Sequence, residues 1–311
     1  MDLYKPSKLI ALLKNLNKLP KKSLSQNFLI DGNILKKIIK TAQIQTGDTV
    51  LEIGPGPGSL TLALLNSQNQ KNNTKSKDQS ALPIKVIAVE KDKIFAQHLQ
   101  DLKLDHLTVI EDDFLKTDLK KLFFDVTTKK LKPEKKAATT KKTIDNNQNK
   151  IKVVANLPYN ITTPILFKLL ENYQLFSSLT IMVQKEVAQR IVAFPKTKAY
   201  SSLTLFVKTY ADPKLAFNVS PTSFYPQPSV KSAVVFFKLK KPFLKGSELK
   251  QWHQFVHRSF QQRRKKLTSS LKFFFPKEKI EQALTDLKLS LNSRPEELAF
   301  DQFFSLFKKL F

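Results

Sequence analysis

A glycine-rich turn constrains the fold of this chain more than any other stretch. The chain has only six glycines, and three of them occupy alternate positions from Gly54 to Gly58. The β-rich run before the turn, residues 49–53, predicts a strand, and Ser59 after it is predicted to cap a helix. Glycines let the backbone approach a ligand where side chains would block it. The stretch therefore predicts a strand, a ligand-binding turn and a helix in succession.

Two further apolar runs end in acidic residues. Residues 84–90 predict a second strand that ends at Glu90, and residues 107–110 predict a third, followed by Asp113 and Phe114. A carboxylate after the second strand suits a pair of ribose hydroxyls. Asp113 would accept a hydrogen bond from an adenine amino group, and Phe114 would pack on the ring. Asp113 is equally well placed to cap a helix, so the residues alone leave its role open.

The spacing between the glycine turn and Glu90 points to an insertion. A dinucleotide-binding fingerprint places its acid about 20 residues after the glycines, whereas Glu90 follows Gly54 by 36 residues. Residues 67–82 are rich in Gln, Asn, Lys and Ser, which indicates a disordered insertion of 16 residues. Without it the spacing is 20. Residues 127–150 are Lys-rich with few apolar side chains and predict a second disordered insertion.

A tetrapeptide of sequence Asn-Leu-Pro-Tyr, residues 156–159, follows a fourth apolar run at residues 151–155. A helical pattern with Pro164 in its first turn comes next. An amide, a proline-stiffened corner and an aromatic ring thus follow a strand end, the edge of an open α/β sheet where ligands bind. Asn and Pro are also common in ordinary turns, where a Tyr can simply pack. The tetrapeptide alone leaves both interpretations open.

The rest of the chain continues the α/β pattern and then changes to helices. Residues 185–193 predict a helix, and residues 220–228 a proline-stiffened loop that presents Phe224 and Tyr225. The remaining predicted strands are 179–184, 201–210 and 233–239. From about residue 242 only helical patterns occur, with an apolar stripe and basic residues beside it. This basic flank fits either an RNA grip or a solvated face.

The amino-acid composition limits which cellular compartment and which binding partners fit this chain. The chain has no Cys, which excludes disulfides and thiolate metal sites and favours a reducing compartment. No apolar run is long enough to span a membrane, and no metal-binding HExxH pattern surrounds His253 and His257. The net charge of +27 indicates a polyanionic partner, most simply nucleic acid. Because nearly all the cations are Lys, the bias of an AT-rich genome is a second explanation for this charge.

Together, seven segments resemble the ribosomal RNA adenine N6,N6-dimethyltransferases, the kasugamycin-sensitivity methylases of the small ribosomal subunit. The segments are SQNFLID, LEIGPGPGSLT, VIAVEKD, EDDF, NLPYNITTPIL, MVQKEVAQRI and SFYPQPSVKSAVV. The resemblance covers nearly the whole chain apart from the insertions and the extreme N-terminus. It implies an α/β fold: a Rossmann-like class I methyltransferase sheet over residues 1–242 and a small all-helical, RNA-contacting domain over residues 243–311. The family usually has Gly where Ser25 stands, which would alter the conformation of that loop.

The resemblance also implies a cofactor, a reaction and site residues. The cofactor would be S-adenosylmethionine, and the reaction would dimethylate N6 of two adjacent adenosines in a loop near the 3′ end of 16S ribosomal RNA. The implied cofactor-binding residues are Asn27, Leu29, Gly54, Gly56, Glu90, Asp113 and Asn156. The implied base-binding and catalytic residues are Asn156, Leu157, Tyr159 and Phe224. The partner would be the immature small ribosomal subunit, and the protein a cytoplasmic monomer without membrane attachment.

Two alternatives stay open at the level of sequence. A sister enzyme that methylates an adenosine of the large-subunit RNA and confers macrolide resistance has a similar fold and similar motifs. A ribosome-assembly or transcription factor could share the fold without catalysis. The helical C-terminal region and the SFYPQPSVKSAVV segment favour the small-subunit enzyme, and the intact tetrapeptide at 156–159 argues against loss of catalysis.

Overall fold

The computed structural model describes residues 2–21, 24, 26–67, 82–128, 151–262 and 265–311. Apart from a few residues at their ends, the two insertions predicted from the sequence lie outside these ranges. No helix among the described residues is long and apolar enough to cross a membrane.

The described elements alternate through most of the chain and become helical towards its end. The strands are β1 (Phe28–Leu29), β2 (Thr49–Ile53), β3 (Lys85–Glu90), β4 (Leu107–Glu111), β5 (Ile151–Asn156), β6 (Phe176–Gln184), β7 (Ala211–Val219), β8 (Phe224–Tyr225) and β9 (Ser232–Leu239). The helices are α1 (Pro6–Asn15), α2 (Gly32–Ala42), α3 (Ser59–Asn66), α4 (Lys93–Asp101), α5 (Leu119–Thr128), α6 (Thr162–Glu171), α7 (Lys185–Ile191), α8 (Ser202–Tyr210), α9 (Gly246–Ser259), α10 (Leu267–Leu271), α11 (Lys277–Asp286) and α12 (Phe300–Leu310).

One sheet of the described chain contains seven strands in the order β4-β3-β2-β5-β6-β9-β7. The five strands from β4 to β6 are parallel neighbours, so their carboxyl ends meet at one edge. Their residues form nearly continuous apolar runs because a parallel sheet is covered on both faces. The strand order changes direction between β2 and β5, and open α/β sheets bind ligands at such a point. The strands predicted for these five segments are confirmed.

The described chain divides into two compact units. One consists of Met1–Gln184 and Ala216–Phe236, and the other of Lys185–Leu215 and Phe237–Phe311. The second unit has its own apolar core, which includes side chains from α8, α9, α11 and α12. The first domain predicted from the sequence ends at residue 242, whereas residues 185–215 and 237–242 already group with the helical unit.

The strand predicted at residues 201–210 is wrong, because this segment forms helix α8. Its short apolar run has no clear period, and such runs do not distinguish a strand from a buried helix. The first turn is closed where the Ser201 N–H donates to Thr204 Oγ1 at 3.1 Å. Further along, Thr209 Oγ1 accepts the indole N–H of the buried Trp252 at 2.9 Å. Packing within the helical unit therefore stabilises a helix in a segment whose local composition favours a strand.

The predicted cap of the helix after the glycine turn is also wrong. Gly58 takes the N-cap position with φ of +99°, and Ser59 is the first residue of α3. The Ser59 hydroxyl instead donates to the Leu3 carbonyl at 3.2 Å. Glycine adopts this left-handed conformation without a steric penalty, which explains why it replaces a side-chain cap here.

Candidate active site

A cavity of about 210 Å³ at the carboxyl ends of the parallel strands gathers nine of the ten predicted site residues. The nine are Asn27, Leu29, Gly54, Gly56, Glu90, Asp113, Asn156, Leu157 and Tyr159. Phe114, which the sequence analysis placed beside an adenine ring, lines it as well. Residues as far apart in the chain as Asn27 and Tyr159 thus converge at the edge that the strand pattern predicts.

A larger cavity of about 790 Å³ lies in the same unit, among the N-terminal residues, α2 and α3. It contains none of the predicted site residues and extends to Ser67, where the described part of the chain is interrupted. The smaller cavity is the candidate site because nine of the predicted site residues line it.

The side chain of Asn156, a residue that lines the cavity, leaves one buried polar atom without a partner among the described residues. Its Nδ2 donates to the backbone carbonyl of Asn27 at 3.2 Å. Its Oδ1 is buried and has no hydrogen-bond partner among the described residues. Because a carbonyl can only accept, the NH₂ group must face Asn27 and the oxygen must face away from it. A buried acceptor without a partner is costly, so this oxygen is a group whose hydrogen bond a ligand can supply.

The glycine turn holds the carboxylate of Glu90. Gly56 has φ of +55°, and a Cβ there would lie 3.0 Å from the ring of Phe28, so a side chain would strain this approach. The Gly56 N–H donates to Glu90 Oε2 at 2.8 Å, and the Asp92 N–H donates to Oε1 at 2.7 Å. Burial raises the pKa of Glu90, and these backbone hydrogen bonds act against that shift. Each oxygen keeps a further acceptor site, which suits a diol.

Asp113 lies at the cavity with both carboxylate oxygens engaged. Its Oδ2 accepts from Lys91 Nζ at 2.9 Å, and its Oδ1 accepts from the Leu115 N–H at 3.0 Å. The hydrogen bond from Lys91 holds the pKa of Asp113 below its ordinary value. Asp113 therefore stabilises the turn that follows β4 through its hydrogen bond with the Leu115 N–H. Its recognition of an adenine amino group stays a prediction.

Tyr159 lines the cavity with a half-buried ring. Its Oη lies 2.7 Å from Oγ of Ser232, a fully buried residue of β9. Burial raises the pKa of the Tyr159 phenol, so the hydroxyl stays neutral at physiological pH. Because Ser232 engages the hydroxyl, Tyr159 offers the cavity an oriented aromatic ring.

Phe224 does not line the cavity. Its side chain is only 3% exposed and packs in the apolar core of its unit, opposite Leu29 in the β1–β8 pair. The adjacent Tyr225 is 36% exposed. The loop therefore presents one aromatic ring rather than the two that were predicted, and Phe224 supports the strand that carries Leu29.

A buried ion pair beside the site was missed by the sequence analysis. Lys18 Nζ lies 2.6 and 2.8 Å from the two carboxylate oxygens of Asp92, and both side chains are at most 5% exposed. Gln26 Nε2 also donates to Asp92 at 3.3 Å. Burial acts to raise the pKa of Asp92, but the hydrogen bond and charge of Lys18 outweigh it and lower the pKa. Since the Asp92 N–H binds Glu90, the pair joins the N-terminal segment to that carboxylate. Nothing in the sequence distinguishes Lys18 from the many other lysines.

Glu52 is a second residue that the analysis missed. It is buried in β2, lines the cavity, and accepts the Thr61 hydroxyl at 2.6 Å. Burial raises the pKa of Glu52 to about 8, so the carboxyl is mostly protonated at neutral pH and can donate a hydrogen bond. An acid inside an otherwise apolar strand was the available signal.

These groups fit S-adenosylmethionine, the cofactor that the resemblance implies. Gly54 and Gly56 line the cavity, the Glu90 carboxylate suits a ribose diol, and the Asp113 carboxylate would suit an adenine amino group. Among the described residues that line the cavity, Lys91 is the single cation, and it is paired with Asp113. A cavity with so little positive charge suits a nucleoside ligand without phosphates.

Comparison with protein families gives a match over nearly the whole chain. The model for the ribosomal RNA adenine dimethylases matches residues 17–311. A ribosomal RNA small subunit methyltransferase A from Protochlamydia amoebophila is 39% identical over 313 residues, which cover 100% of this chain and 98% of the relative. The protein of the same name from Chlamydia muridarum is 42% identical over 306 residues, covering 97% and 96%.

Solved structures give the same fold. A dimethyladenosine transferase from Plasmodium falciparum has a TM-score of 0.66 at 26% identity and covers 90% of this chain and 95% of its own. The 23S rRNA methyltransferase ErmE has a TM-score of 0.62 at 23% identity, covering 91% and 99%. The class I methyltransferase fold with a C-terminal helical region, expected from the sequence, is confirmed.

Replacing Lys18 with Met is expected to weaken the binding of S-adenosylmethionine about tenfold or more. Breaking a buried ion pair costs about 3–5 kcal/mol, and here the loss falls on the contact between the N-terminal segment and the Glu90 loop. Isothermal titration calorimetry measures the affinity. Lys93→Met is the matched control, because the Lys93 side chain is 85% exposed and lies 3.7 Å from Glu111. An unchanged affinity in Lys18→Met would show that the pair does not support the site.

Proposed function

This chain belongs to the ribosomal RNA adenine dimethylase family, and from that premise we propose its target and the roles of its site residues. It is an enzyme that transfers methyl groups from S-adenosylmethionine to adenine in ribosomal RNA. We propose that the targets are two adjacent adenosines in a loop near the 3′ end of 16S RNA, each dimethylated at N6. Full-length relatives with about 40% identity, named as small-subunit enzymes, support this choice.

The observation that carries the proposal is the unpaired oxygen of Asn156. It is a buried acceptor at the end of β5, and Asn156 lines the same cavity as Tyr159 and the residues assigned to the donor. An exocyclic amine with two N–H bonds is a ligand that would satisfy it.

The chemical difficulty is the weak nucleophilicity of the adenine amino group, because its lone pair is delocalised into the ring. S-adenosylmethionine, when bound, supplies an electrophilic methyl group on a sulfonium. Asn156 Oδ1 and the Leu157 backbone carbonyl would accept the two N–H bonds and draw the nitrogen out of the ring plane. The lone pair would then be free to attack the methyl group. In that transfer a C–N bond would replace the S–C bond, and the amine would lose one proton to solvent.

Tyr159 would hold the target base by stacking. Base–aromatic stacking is worth about 1–3 kcal/mol per base, which helps to keep an extruded adenosine in the cavity. A loop adenosine costs less to extrude than a paired one. Most of the acceleration would come from positioning, which can supply roughly 7–11 kcal/mol. Phe224 would support β1 and Leu29 in this arrangement, since its side chain lies in the core.

The donor would be held by the residues at the other strand ends. Gly54 and Gly56 would pass beneath its methionine portion, Glu90 would bind the ribose, and Asp113 the adenine amino group. Asn27 has a double role, since it borders the donor and its carbonyl orients Asn156. We also propose that the enzyme is a cytoplasmic monomer and that it acts on the immature small subunit. The net charge of +27 supports a polyanionic substrate of this kind.

The two alternatives can be weighed against these observations. The likeness to the large-subunit enzyme ErmE is one of fold, at 23% identity. A factor without catalysis would have no use for a buried, unpaired acceptor on a residue that lines the cavity.

The purified protein is expected to transfer labelled methyl groups to immature small subunits and not to large subunits, with the products mapped to N6 of two adjacent adenosines.

Asn156→Ala removes the acceptor and should abolish transfer while weakening, but not eliminating, the binding of S-adenosylmethionine. Calorimetry on the same variant checks the binding. Label on the large subunit would refute the proposed target, and wild-type turnover by Asn156→Ala would refute the role of Asn156.

Tyr159→Ala is expected to reduce methylation about fivefold or more, the effect of losing one base–aromatic stack, with little change in donor affinity. Tyr159→Phe is the matched control, because it keeps the ring and loses only the hydrogen bond to Ser232; most of the activity should remain. Steady-state kinetics and calorimetry separate the two effects. An equal loss of methylation and donor affinity in Tyr159→Ala would place the ring in the donor site instead.

A further inference from the structure

The helical unit contains a stretch of chain whose charged side chains are all positive. Residues 249–277 contain eight Lys and Arg residues and no Asp or Glu. The eight are Lys250, Arg258, Arg263, Arg264, Lys265, Lys266, Lys272 and Lys277. Lys277 pairs with Glu281 at 3.6 Å between Nζ and Oε1. The other seven cations leave the stretch with an excess of positive charge, which attracts polyanions.

Two aromatic rings are exposed within this stretch, directly after α10. Phe273 is 72% exposed and Phe274 is 38% exposed. The backbone that carries them is held by hydrogen bonds from the Phe274 and Phe275 N–H groups to the Leu271 carbonyl, at 2.9 and 3.1 Å. Phe275 packs towards the core of the unit, and its ring centroid lies 5.2 Å from that of Phe311. The anchored Phe275 therefore leaves its two predecessors presented at the surface.

Both exposed rings carry a cation. The Arg258 guanidinium lies 3.8 Å from the centroid of Phe274, close enough to stack on the ring. Lys272 Nζ lies 5.0 Å from the centroid of Phe273. Aromatic rings and arginine planes are the surfaces on which unpaired bases stack, and neighbouring cations follow the phosphate backbone. A duplex offers no free base faces for such a surface.

We propose that Phe273, with Arg258, Lys272 and Phe274 beside it, forms a stacking site for an unpaired nucleobase of the ribosomal RNA substrate, separate from the residues that bind the target adenosine. The proposal rests on the proposed function for the identity of the RNA. The stacking site adds affinity for single-stranded RNA and takes no part in methyl transfer.

The test compares Phe273→Ala with Phe243→Ala in the full chain. Phe243 is a matched control, since it belongs to the same unit and is 71% exposed. Its ring centroid lies 6.1 Å from that of Phe304. Fluorescence anisotropy measures binding to a short unstructured single-stranded RNA and to a duplex of the same sequence. Phe273→Ala should bind the single strand about fivefold or more weakly, with unchanged duplex binding. Phe273→Trp should restore the affinity, and Phe243→Ala should bind like the wild type.

Methylation kinetics give a second reading. Phe273→Ala should raise KM for the immature small subunit and leave kcat and the affinity for S-adenosylmethionine unchanged. Wild-type affinity for single-stranded RNA in Phe273→Ala, an equal loss in Phe243→Ala, or an equal loss for the duplex would overturn the stacking site. Should the unmodified protein fail to methylate small subunits, the proposed function fails, while the anisotropy result still decides the stacking site.

Discussion

The hydrogen bond from the Asn156 amide to the Asn27 carbonyl decides what this site can do. A backbone carbonyl can only accept, so it fixes which end of the amide faces Asn27 and which end is left for a ligand. The oxygen that remains is buried and lacks a partner among the described residues. Had the contact been made by an N–H group, the amide would be reversed and would present a donor, which a substrate amine could not use in the same way.

That hydrogen bond requires the N-terminal segment to be held firmly at the strand ends. The Ile30 N–H donates to the Ser223 carbonyl at 2.8 Å, which secures the segment from one side. The buried pair of Lys18 and Asp92 secures it from the other. The orientation of the Asn156 amide thus depends on contacts made by residues that do not themselves line the cavity. The hydrogen bond from Asn156 to Asn27 also explains why residues that precede β2 line the candidate site.

The sequence predicts the parts of this structure that depend on local pattern. The five parallel strands follow from continuous apolar runs, and the positions of Glu90, Asp113 and Asn156 follow from where those runs end. Pairings between distant residues carry no such pattern, which is why the ion pair of Lys18 was missed. Tertiary packing likewise turned residues 201–210 into a helix and placed Phe224 in the core. Residues 201–210 are apolar and β-prone, whereas Phe224 belongs to a proline-stiffened loop. In both cases contacts with distant residues decide the outcome, and these leave no local pattern in the sequence.

A crystal structure of a ternary complex would show where an adenine amino group binds in this site. The complex would contain the protein, S-adenosylhomocysteine and a short RNA that carries the target adenosine. The account predicts N6 about 3 Å from Asn156 Oδ1, with Nδ2 still donating to the Asn27 carbonyl and the ring of Tyr159 stacked on the base. An adenosine bound with N6 against other groups, or an Asn156 side chain turned away from it, would contradict the account.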